Sequence, residues 1–281
     1  MDNKRSILLT GASGFIGSHI LDKLQSKCNL FILESSRSNN VKLTSDIRVV
    51  SLDGIESIDN ISDIIHCAGA IKGGKRHLYE VNVLLTKNLL LKNKLRKARF
   101  IYISSINTQT RLHSEYDKTK KEAEDLILSC DYSTVIIRPS YVFSSDEEPN
   151  IKPIDYFFNF FGFFGFFPIL HYNSRLQPLE VNELAEFVFD LVFFEEKYHA
   201  SIFEIAGPKK ISVWDMLMSY TRSKGYNIKP FLLPRFIGIF LNMASNRKLE
   251  IFFQDKVLSP ENKNDVESIT CNISQPFLKK Y

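Results

Sequence analysis

Short apolar runs and amphipathic stretches alternate along the first half of the chain. "SILLT" (6–10) is an apolar run closed by a glycine turn. "FIGSHILDKLQSK" (15–27) follows with Ile16, Ile20, Leu21 and Leu24 at helical spacing, so the pattern predicts strand, turn and helix. Further apolar runs follow at "NLFILES" (29–35), "IRVVSLD" (47–53), "DIIHCAGA" (63–70), "RFIYISS" (99–105) and "STVIIRPS" (133–140), with helical patterns between most of them. They are continuously apolar, as strands buried on both faces must be. The alternation predicts an α/β fold, a doubly wound parallel sheet of the Rossmann type with helices on both faces.

The pattern changes after about residue 145. "SSDEEPN" (144–150) is acidic and turn-rich, and it precedes a phenylalanine-rich stretch and "PFLLPRFIGIFLNM" (230–243). Residues 1–145 are therefore assigned to a nucleotide-binding domain and 146–281 to a smaller, mostly helical substrate-binding region. "PLEVNELAEFVFDLVFF" (178–194) and "SIFEIAGP" (201–208) read as a helix and a strand that rejoin the first domain, over about 176–207.

Composition narrows the class. The chain has 281 residues, 24% charged and 44% apolar, with a formal net charge of +4, which is ordinary globular usage. The basic runs "LKNKLRKAR" (91–99) and "KTKK" (118–121) fall on helical patterns and read as solvated faces, so no nucleic acid partner is expected. Cys28, Cys67, Cys130 and Cys271 form no Cys-x-x-Cys pair, which argues against a metal site or a disulfide framework and fits a reducing cytoplasm. The N-terminus lacks the apolar region of a signal peptide, so the chain is expected to start near Met1.

"TGASGFIG" puts Gly11, Gly14 and Gly17 between the first strand and first helix. There the pyrophosphate of a dinucleotide can lie against free N–H groups at the helix start. Glu34 ends the second strand, 23 residues beyond Gly11, where an acid can accept hydrogen bonds from ribose hydroxyls and repel a 2'-phosphate. This favours NAD. Arg37 could instead pair with that phosphate, which keeps NADP as the alternative.

"EYDKTKKEAE" carries Tyr116 and Lys120 four residues apart, on one helix face. A lysine cation beside a tyrosine lowers its pKa towards neutrality and suits it to exchange a proton with a substrate hydroxyl. "YISS" ends a strand in Ser104 and Ser105, at the carboxyl edge where such sheets bind ligands, so Ser105 can hydrogen-bond the reacting oxygen. Together these motifs make the chain resemble the NAD-dependent epimerase/dehydratase family of the extended short-chain dehydrogenase/reductase superfamily, whose members act on nucleotide sugars. "IIHCAGA" resembles the family's fourth-strand motif, "VNVLLTKN" its helix with a cofactor-side asparagine, and "IIRPSYVF" the segment bordering the nicotinamide. "QPLEVNELAEFV" resembles the return to the cofactor domain, and the likeness covers about residues 5–207.

The resemblance implies that Tyr116 is the catalytic acid/base, that Lys120 orients the nicotinamide ribose and tunes Tyr116, and that Ser105 polarises the substrate oxygen. It places cofactor contacts on Gly11, Ser13, Gly14, Phe15, Ile16 and Gly17, and on Glu34, Arg37 and Asp53, with Asp53 facing the adenine. It adds Cys67, Ala68, Gly69 and Asn82 along the cofactor, and Pro139 and Val142 beside the nicotinamide. Arg111 and His113, before Tyr116, and Arg175 are candidate substrate contacts beside solvated alternatives. His66 reads as a packed histidine. No residue is assigned to a metal.

The chain departs from the family where Ser105-Ile106-Asn107-Thr108 replaces the hydroxyl-Asp-Glu arrangement of dehydratases, which disfavours dehydration. Only ten residues separate Ser105 from Tyr116, a short sugar-side loop. The reading is a cytoplasmic NAD(P)-dependent nucleotide-sugar 4-epimerase of cell-surface polysaccharide biosynthesis, paired as a homodimer through helices at about 78–96 and 114–130. The alternatives are a 4-keto sugar reductase or dehydrogenase, a non-catalytic nucleotide-binding or assembly protein, and a reductase of a lipid carbinol.

"DYFFNFFGFFGFFPIL" (155–170) repeats two phenylalanines and a spacer. Each triplet advances about 300° on a helix, so the rings spread around it. The apolar run from Tyr156 to Leu170 is 15 residues, where spanning a membrane takes about 20. It reads as a packed helix and turn roofing the substrate cleft; membrane contact is not expected, and a lipid carrier is the partner it would meet if contact occurs.

Overall fold

The computed structural model describes residues 4–36, 44–109, 114–144, 166–169, 175–194 and 201–212, with shorter pieces at 215–216, 218, 222, 229–232, 234, 257–258 and 266–270. By compactness the chain divides into two units, one of residues 1–139, 181–205 and 259–269, the other of 140–180, 206–258 and 270–281.

The first unit begins β1 (Ser6–Thr10), α1 (Phe15–Leu24), β2 (Asn29–Leu33), β3 (Ile47–Val50) and β4 (Ile61–His66). It continues with α2 (Lys75–Tyr79), α3 (Leu85–Leu90), β5 (Arg99–Ile103), α4 (Glu115–Leu128) and β6 (Thr134–Pro139). After β7 (Val142–Phe143), β8 (Phe166–Ile169), β9 (Arg175–Leu176) and β10 (Leu179–Glu180) of the second unit, the first resumes with α5 (Val181–Phe193) and β11 (Ser201–Ala206). β12 (Ile211–Ser212) and β13 (Lys229–Leu232) follow in the second unit, and β14 (Val266–Thr270) closes the sheet edge.

The sheet order is β14-β11-β6-β5-β4-β1-β2-β3, and the seven strands from β11 to β3 are parallel. The chain winds outwards from β1 to β3, then returns to β4 on the other side of β1. The carboxyl ends of β1 and β4, at Thr10 and His66, therefore flank the point where the winding reverses, the place such sheets bind ligands. Ile7, Leu8 and Leu9 are all fully buried, which requires cover on both faces.

One face is covered by α1 and α5, which pack together. α1 buries Ile20, Leu21 and Leu24, and α5 buries Leu184, Ala185, Val188, Leu191 and Val192. Arg99 anchors α5 to the sheet: its Nη2 donates to the Leu191 carbonyl at 3.0 Å while its Nε donates to Asp63 at 2.8 Å, both side chains buried. On the other face Leu89 and Leu90 of α3 and Ala123 and Ile127 of α4 join Leu8, Ile64, Phe100 and Ile136 in one core.

The helix expected at about 78–96 is interrupted. α2 passes into a π turn at Glu80–Leu84, and α3 stops at Leu90 before a short 3₁₀ turn at Asn93–Leu95. "LKNKLRKAR" is thus not a long helix face, because Leu95 and Ala98 are drawn into the core; Lys92 and Lys94 pair with Asp53 and Asp59 at 3.0 and 2.6 Å. Among the described residues no helix is long and apolar enough to cross a membrane.

In the second unit the described elements are short strand pairs. β7 lies parallel to β10, β8 parallel to β13, and β9 antiparallel to β12. Helical residues occur at 215, 216, 218 and 222, and the remaining helical character expected of this region falls outside the described residues. Of the phenylalanine-rich stretch, Phe166–Ile169 is a strand rather than helix, with Pro168 opposite Phe231 and Pro230 opposite Phe167. A two-stranded pair tolerates proline because a missing N–H can point away from the partner. Residues 155–165 lie outside the described residues.

Candidate active site

The glycine turn is built by close approach. Gly11 has φ +71°, and a Cβ on it would lie 2.6 Å from the Ala68 nitrogen. A Cβ on Gly17 would lie 2.0 Å from the Gly11 carbonyl oxygen, so the first turn of α1 rests directly on the β1 loop. Gly14 caps α1 with extended backbone and no side-chain cap hydrogen bond, and no acid occupies the first helical turn. A phosphate can therefore reach this helix start without meeting a side-chain anion, and the cradle fits a dinucleotide's pyrophosphate. Ser13 and Ile16 are half-buried beside it, and Phe15 is exposed and meets His19 edge-on at 5.6 Å. Glu34 is exposed just beyond β2, with its N–H on the Val50 carbonyl at 2.8 Å. Asp53 projects into solvent and pairs with Lys92. Arg37 lies outside the described residues.

A buried relay crosses the carboxyl edge from β1 to α4. The Ala68 N–H donates to Thr10 Oγ1 at 3.1 Å, and Thr10 Oγ1 lies 2.6 Å from His66 Nδ1. His66 Nε2 lies 2.9 Å from Thr86 Oγ1, which itself donates to the Asn82 carbonyl at 2.8 Å. Because the Thr86 proton is committed to Asn82, His66 carries its proton on Nε2 and accepts from Thr10 on Nδ1. Burial and the nearby Lys120 cation push the His66 pKa down to about 3, so the ring is neutral. Asn82 sits in the π turn and is buried; its amide accepts from Ala70 N–H at 2.7 Å and donates to the Ala70 carbonyl at 3.0 Å and to Thr119 at 2.9 Å. It thereby ties the loop after β4 to α4. A Cβ on Gly69 would come 3.3 Å from Asn82 Oδ1 and 3.8 Å from Lys120 Nζ, so this loop borders the lysine. The Cys67 thiol is raised to about 12 by burial and is unreactive.

α4 carries Tyr116 and Lys120 one turn apart, and Tyr116 meets Ser105. Ser114 caps the helix by accepting from Asp117 N–H at 3.1 Å, and Asp117 returns the bond to Ser114 N–H at 3.3 Å, which fixes the first turn carrying Tyr116. Tyr116 is hydrogen-bonded to Ser105. Lys120 is buried, donates from Nζ to the Ile103 carbonyl at 2.6 Å, and lies 4.1 Å from the Tyr102 ring centroid. Burial lowers the Lys120 pKa to about 8. Tyr116 departs from expectation: its pKa is pushed up to about 12, by burial first and by the Asp117 carboxylate second, with the Ser105 hydrogen bond opposing. The lysine does not offset this, because its ammonium is turned to Ile103 and Tyr102. Tyr116 is a neutral phenol in this state.

Pro139 ends β6 and is buried beside Ile205 of β11. Val142 lies in β7 and Arg175, exposed, in β9, both of the second unit. Arg111 and His113 lie outside the described residues. No group of three or more metal-ligating side chains occurs among the described residues. Sequence reasoning did not single out Thr10, Thr86, Tyr102 or Glu124; strand ends aligned at Thr10, His66 and Tyr102 are visible only once the register is known.

A family model described as the NAD dependent epimerase/dehydratase family matches residues 7–154. Among curated proteins, the sterol-4-alpha-carboxylate 3-dehydrogenase (decarboxylating) of Candida albicans is 27% identical over 184 residues, covering 50% of this chain and 52% of that protein. The ceramide reductase of Caulobacter vibrioides is 23% identical over 193 residues, covering 66% of this chain and 60% of that protein. The chain thus spans 52% and 60% of the length of these relatives. Among solved structures, the UDP-glucuronic acid 4-epimerase of Bacillus cereus with NAD superposes with a TM-score of 0.65 over 82% of this chain and 86% of that one, at 18% identity. That likeness is one of fold.

Proposed function

The chain belongs to the NAD dependent epimerase/dehydratase family, and from that premise we propose that it is an NAD-dependent enzyme acting on a carbinol of a nucleotide-linked sugar, as a 4-epimerase. The observation that supports this is the Ser105–Tyr116 hydrogen bond, with Lys120 one turn along the same helix, in a unit that also carries the Gly11–Gly17 cradle. The cradle of Gly11, Gly14 and Gly17 would hold the pyrophosphate, and Glu34 and Asp53 would face the adenosine half. Bound there, NAD would supply reversible hydride transfer at the sugar carbon, which lets either face of the ketone be reduced. Ser105 Oγ holds the sugar oxygen. Tyr116, a neutral phenol in the free protein, must first lose its own proton to solvent; as the phenolate it takes the proton of the sugar hydroxyl when the carbon is oxidised and gives it back on reduction. Lys120 would offer donors to the nicotinamide ribose, its ammonium resting on the Ile103 carbonyl and the Tyr102 ring in the free protein. Asn107 to Gln109 carry no carboxylate, so no residue of the turn after Ser105 supplies the acid and base of a dehydration.

By the family resemblance we also propose cytoplasmic work in surface-polysaccharide synthesis and pairing of two copies through the helices at about 78–96 and 114–130. The test is incubation with a panel of nucleotide sugars followed by NMR of the products. A 4-epimer formed without net NADH change supports the proposal; stoichiometric NAD(P)H consumption replaces it with a 4-keto sugar reductase. A second reading, oxidation of a lipid carbinol or reduction of the matching ketone, draws on the names of the sterol dehydrogenase and ceramide reductase relatives. NAD(P)-coupled oxidation of a sterol 3-carbinol or reduction of a ceramide-type ketone, with no turnover of sugars, would establish that reading instead.

A further inference from the structure

We infer that Glu124 is a positioning residue for the Ser105–Tyr116 contact. A single buried carboxylate holds the helix that carries Tyr116 and Lys120 against the turn that carries Ser105. This rests on the assignment of Ser105 and Tyr116 to the reaction.

Tyr116, Lys120 and Glu124 follow one another at four-residue steps along α4, hence on one face of it. The Glu124 side chain is fully buried. Its Oε1 accepts from Ser104 Oγ at 2.5 Å and lies 3.0 Å from Thr108 Oγ1. These two hydroxyls flank Ser105 in sequence. Thr108 closes the turn on Ser105 itself, with its N–H 3.1 Å and its Oγ1 2.9 Å from the Ser105 carbonyl. The carboxylate therefore grips both ends of the turn around Ser105, and the Asn107 N–H reaches Ser105 Oγ at 3.3 Å from inside it.

A buried carboxylate must be paired to be tolerated. Arg138 of β6 supplies two parallel bonds, Nε to Oε1 at 2.9 Å and Nη2 to Oε2 at 2.7 Å, and its Nη1 lies 4.0 Å from Glu204 of β11. Two planar groups locked in this fork have little freedom to turn, so the Glu124 oxygens are fixed relative to the sheet. An apolar side chain of equal volume would fill the space but would not direct the hydroxyls of Ser104 and Thr108. Glu124 touches neither the reacting oxygen nor the cofactor cradle; it acts through the turn.

The double variant Ser104→Ala/Thr108→Val tests this, since it frees the turn from the carboxylate and leaves the Glu124–Arg138 pair in place. The readout is the Cζ resonance of 13C-labelled Tyr116, assigned by its loss in Tyr116→Phe, with Ser105→Ala marking where the resonance moves when the contact is removed. The double variant should move the resonance towards the Ser105→Ala position, and Thr108→Ser, which keeps the hydroxyl, should leave it at the parent position. With a substrate in hand, kcat should fall about 10- to 100-fold with KM nearly unchanged, as misplacement of a reacting group does. NAD affinity should stay at the parent value, since the glycine turn is untouched. A folded double variant with the Tyr116 resonance unmoved overturns the inference, whatever its activity. The resonance needs no substrate, so a parent protein that turns over nothing would defeat the functional reading without touching this result.

Discussion

The Lys120 ammonium lies 4.1 Å from the centroid of the Tyr102 ring. It is buried there, with the Ile103 carbonyl as acceptor, and desolvation brings its pKa to about 8. The ring face, the carbonyl and the nearby Glu124 carboxylate together keep the charge tolerable. As pH rises through about 8 the free protein loses this cation, so kcat/KM should decline on the alkaline side from about that pH. Tyr102→Phe retains the ring face and should leave the decline where it is. Tyr102→Leu removes about 1–2 kcal/mol of cation–π attraction and should move the decline down by about one pH unit. An alkaline limb in the same place for Tyr102→Leu would show that the ring does not tune the lysine.

Tyr116 is a neutral phenol hydrogen-bonded to Ser105, and its proton transfer is the step for which the site is arranged. Tyr116→Phe removes the hydroxyl and little else, and should lower kcat about 100- to 10,000-fold while NAD still binds. Ser105→Ala takes away the hydrogen bond that opposes the upward pKa shift, so the Tyr116 pKa should rise further and kcat should fall about 100-fold. Isothermal titration with NAD beside steady-state rates separates the two effects. Full turnover in Tyr116→Phe would remove the mechanism.

How much of this was legible in the sequence depends on the range of the contacts involved. The strand and helix pattern from Ser6 to Pro139 follows from local apolar runs and their spacing, and the glycine turn from three residues within one motif. Tyr116 and Lys120 are neighbours on one helix. The direction of the Tyr116 pKa shift was not legible, because it is set by burial and by which way Lys120 turns. The π turn at Asn82 was also hidden: Asn82 spends its amide on Ala70 and Thr119, one of them 37 residues away, and helical periodicity carries no trace of that. The strand at Phe166–Ile169 was missed because a period of three matches neither a strand nor a helix, and its pairing with β13 is non-local.

Gly17 and Gly69 should respond differently to the same change. An alanine Cβ at Gly17 would stand 2.0 Å from a backbone oxygen that cannot move without shifting the turn. Gly17→Ala should cost about 1–3 kcal/mol or more of stability and abolish NAD binding. At Gly69 the nearest atom is the Asn82 side-chain oxygen at 3.3 Å, which can yield by a few tenths of an ångström. Gly69→Ala should therefore fold with nearly parental stability and bind NAD more weakly, by about tenfold or less. Thermal melts with and without NAD distinguish the two, and equal behaviour would contradict the close-approach argument.

The neutral His66 gives the fold an acid-sensitive element. Its pKa is about 6.5 when the chain is unfolded and about 3 when folded, so between these values the unfolded chain binds one proton more than the folded one. Above pH 6.5 both states are neutral and the histidine adds no pH dependence. As pH falls from about 6.5 towards 3, stability should drop by about 1.4 kcal/mol per pH unit from this residue alone. Carboxylates also titrate in the lower part of that window, so the comparison is with His66→Gln, which keeps a donor and an acceptor but cannot take the proton. Urea unfolding between pH 4.5 and 7 should show the parent losing stability more steeply than the variant, by about one proton's worth of slope. The variant should start less stable at pH 7, because the bonds to Thr10 and Thr86 are not reproduced in full. Parallel slopes would mean that His66 takes a proton in the folded protein as readily as in the unfolded chain, and on protonation Nδ1 would donate to Thr10 while Nε2 still donates to Thr86.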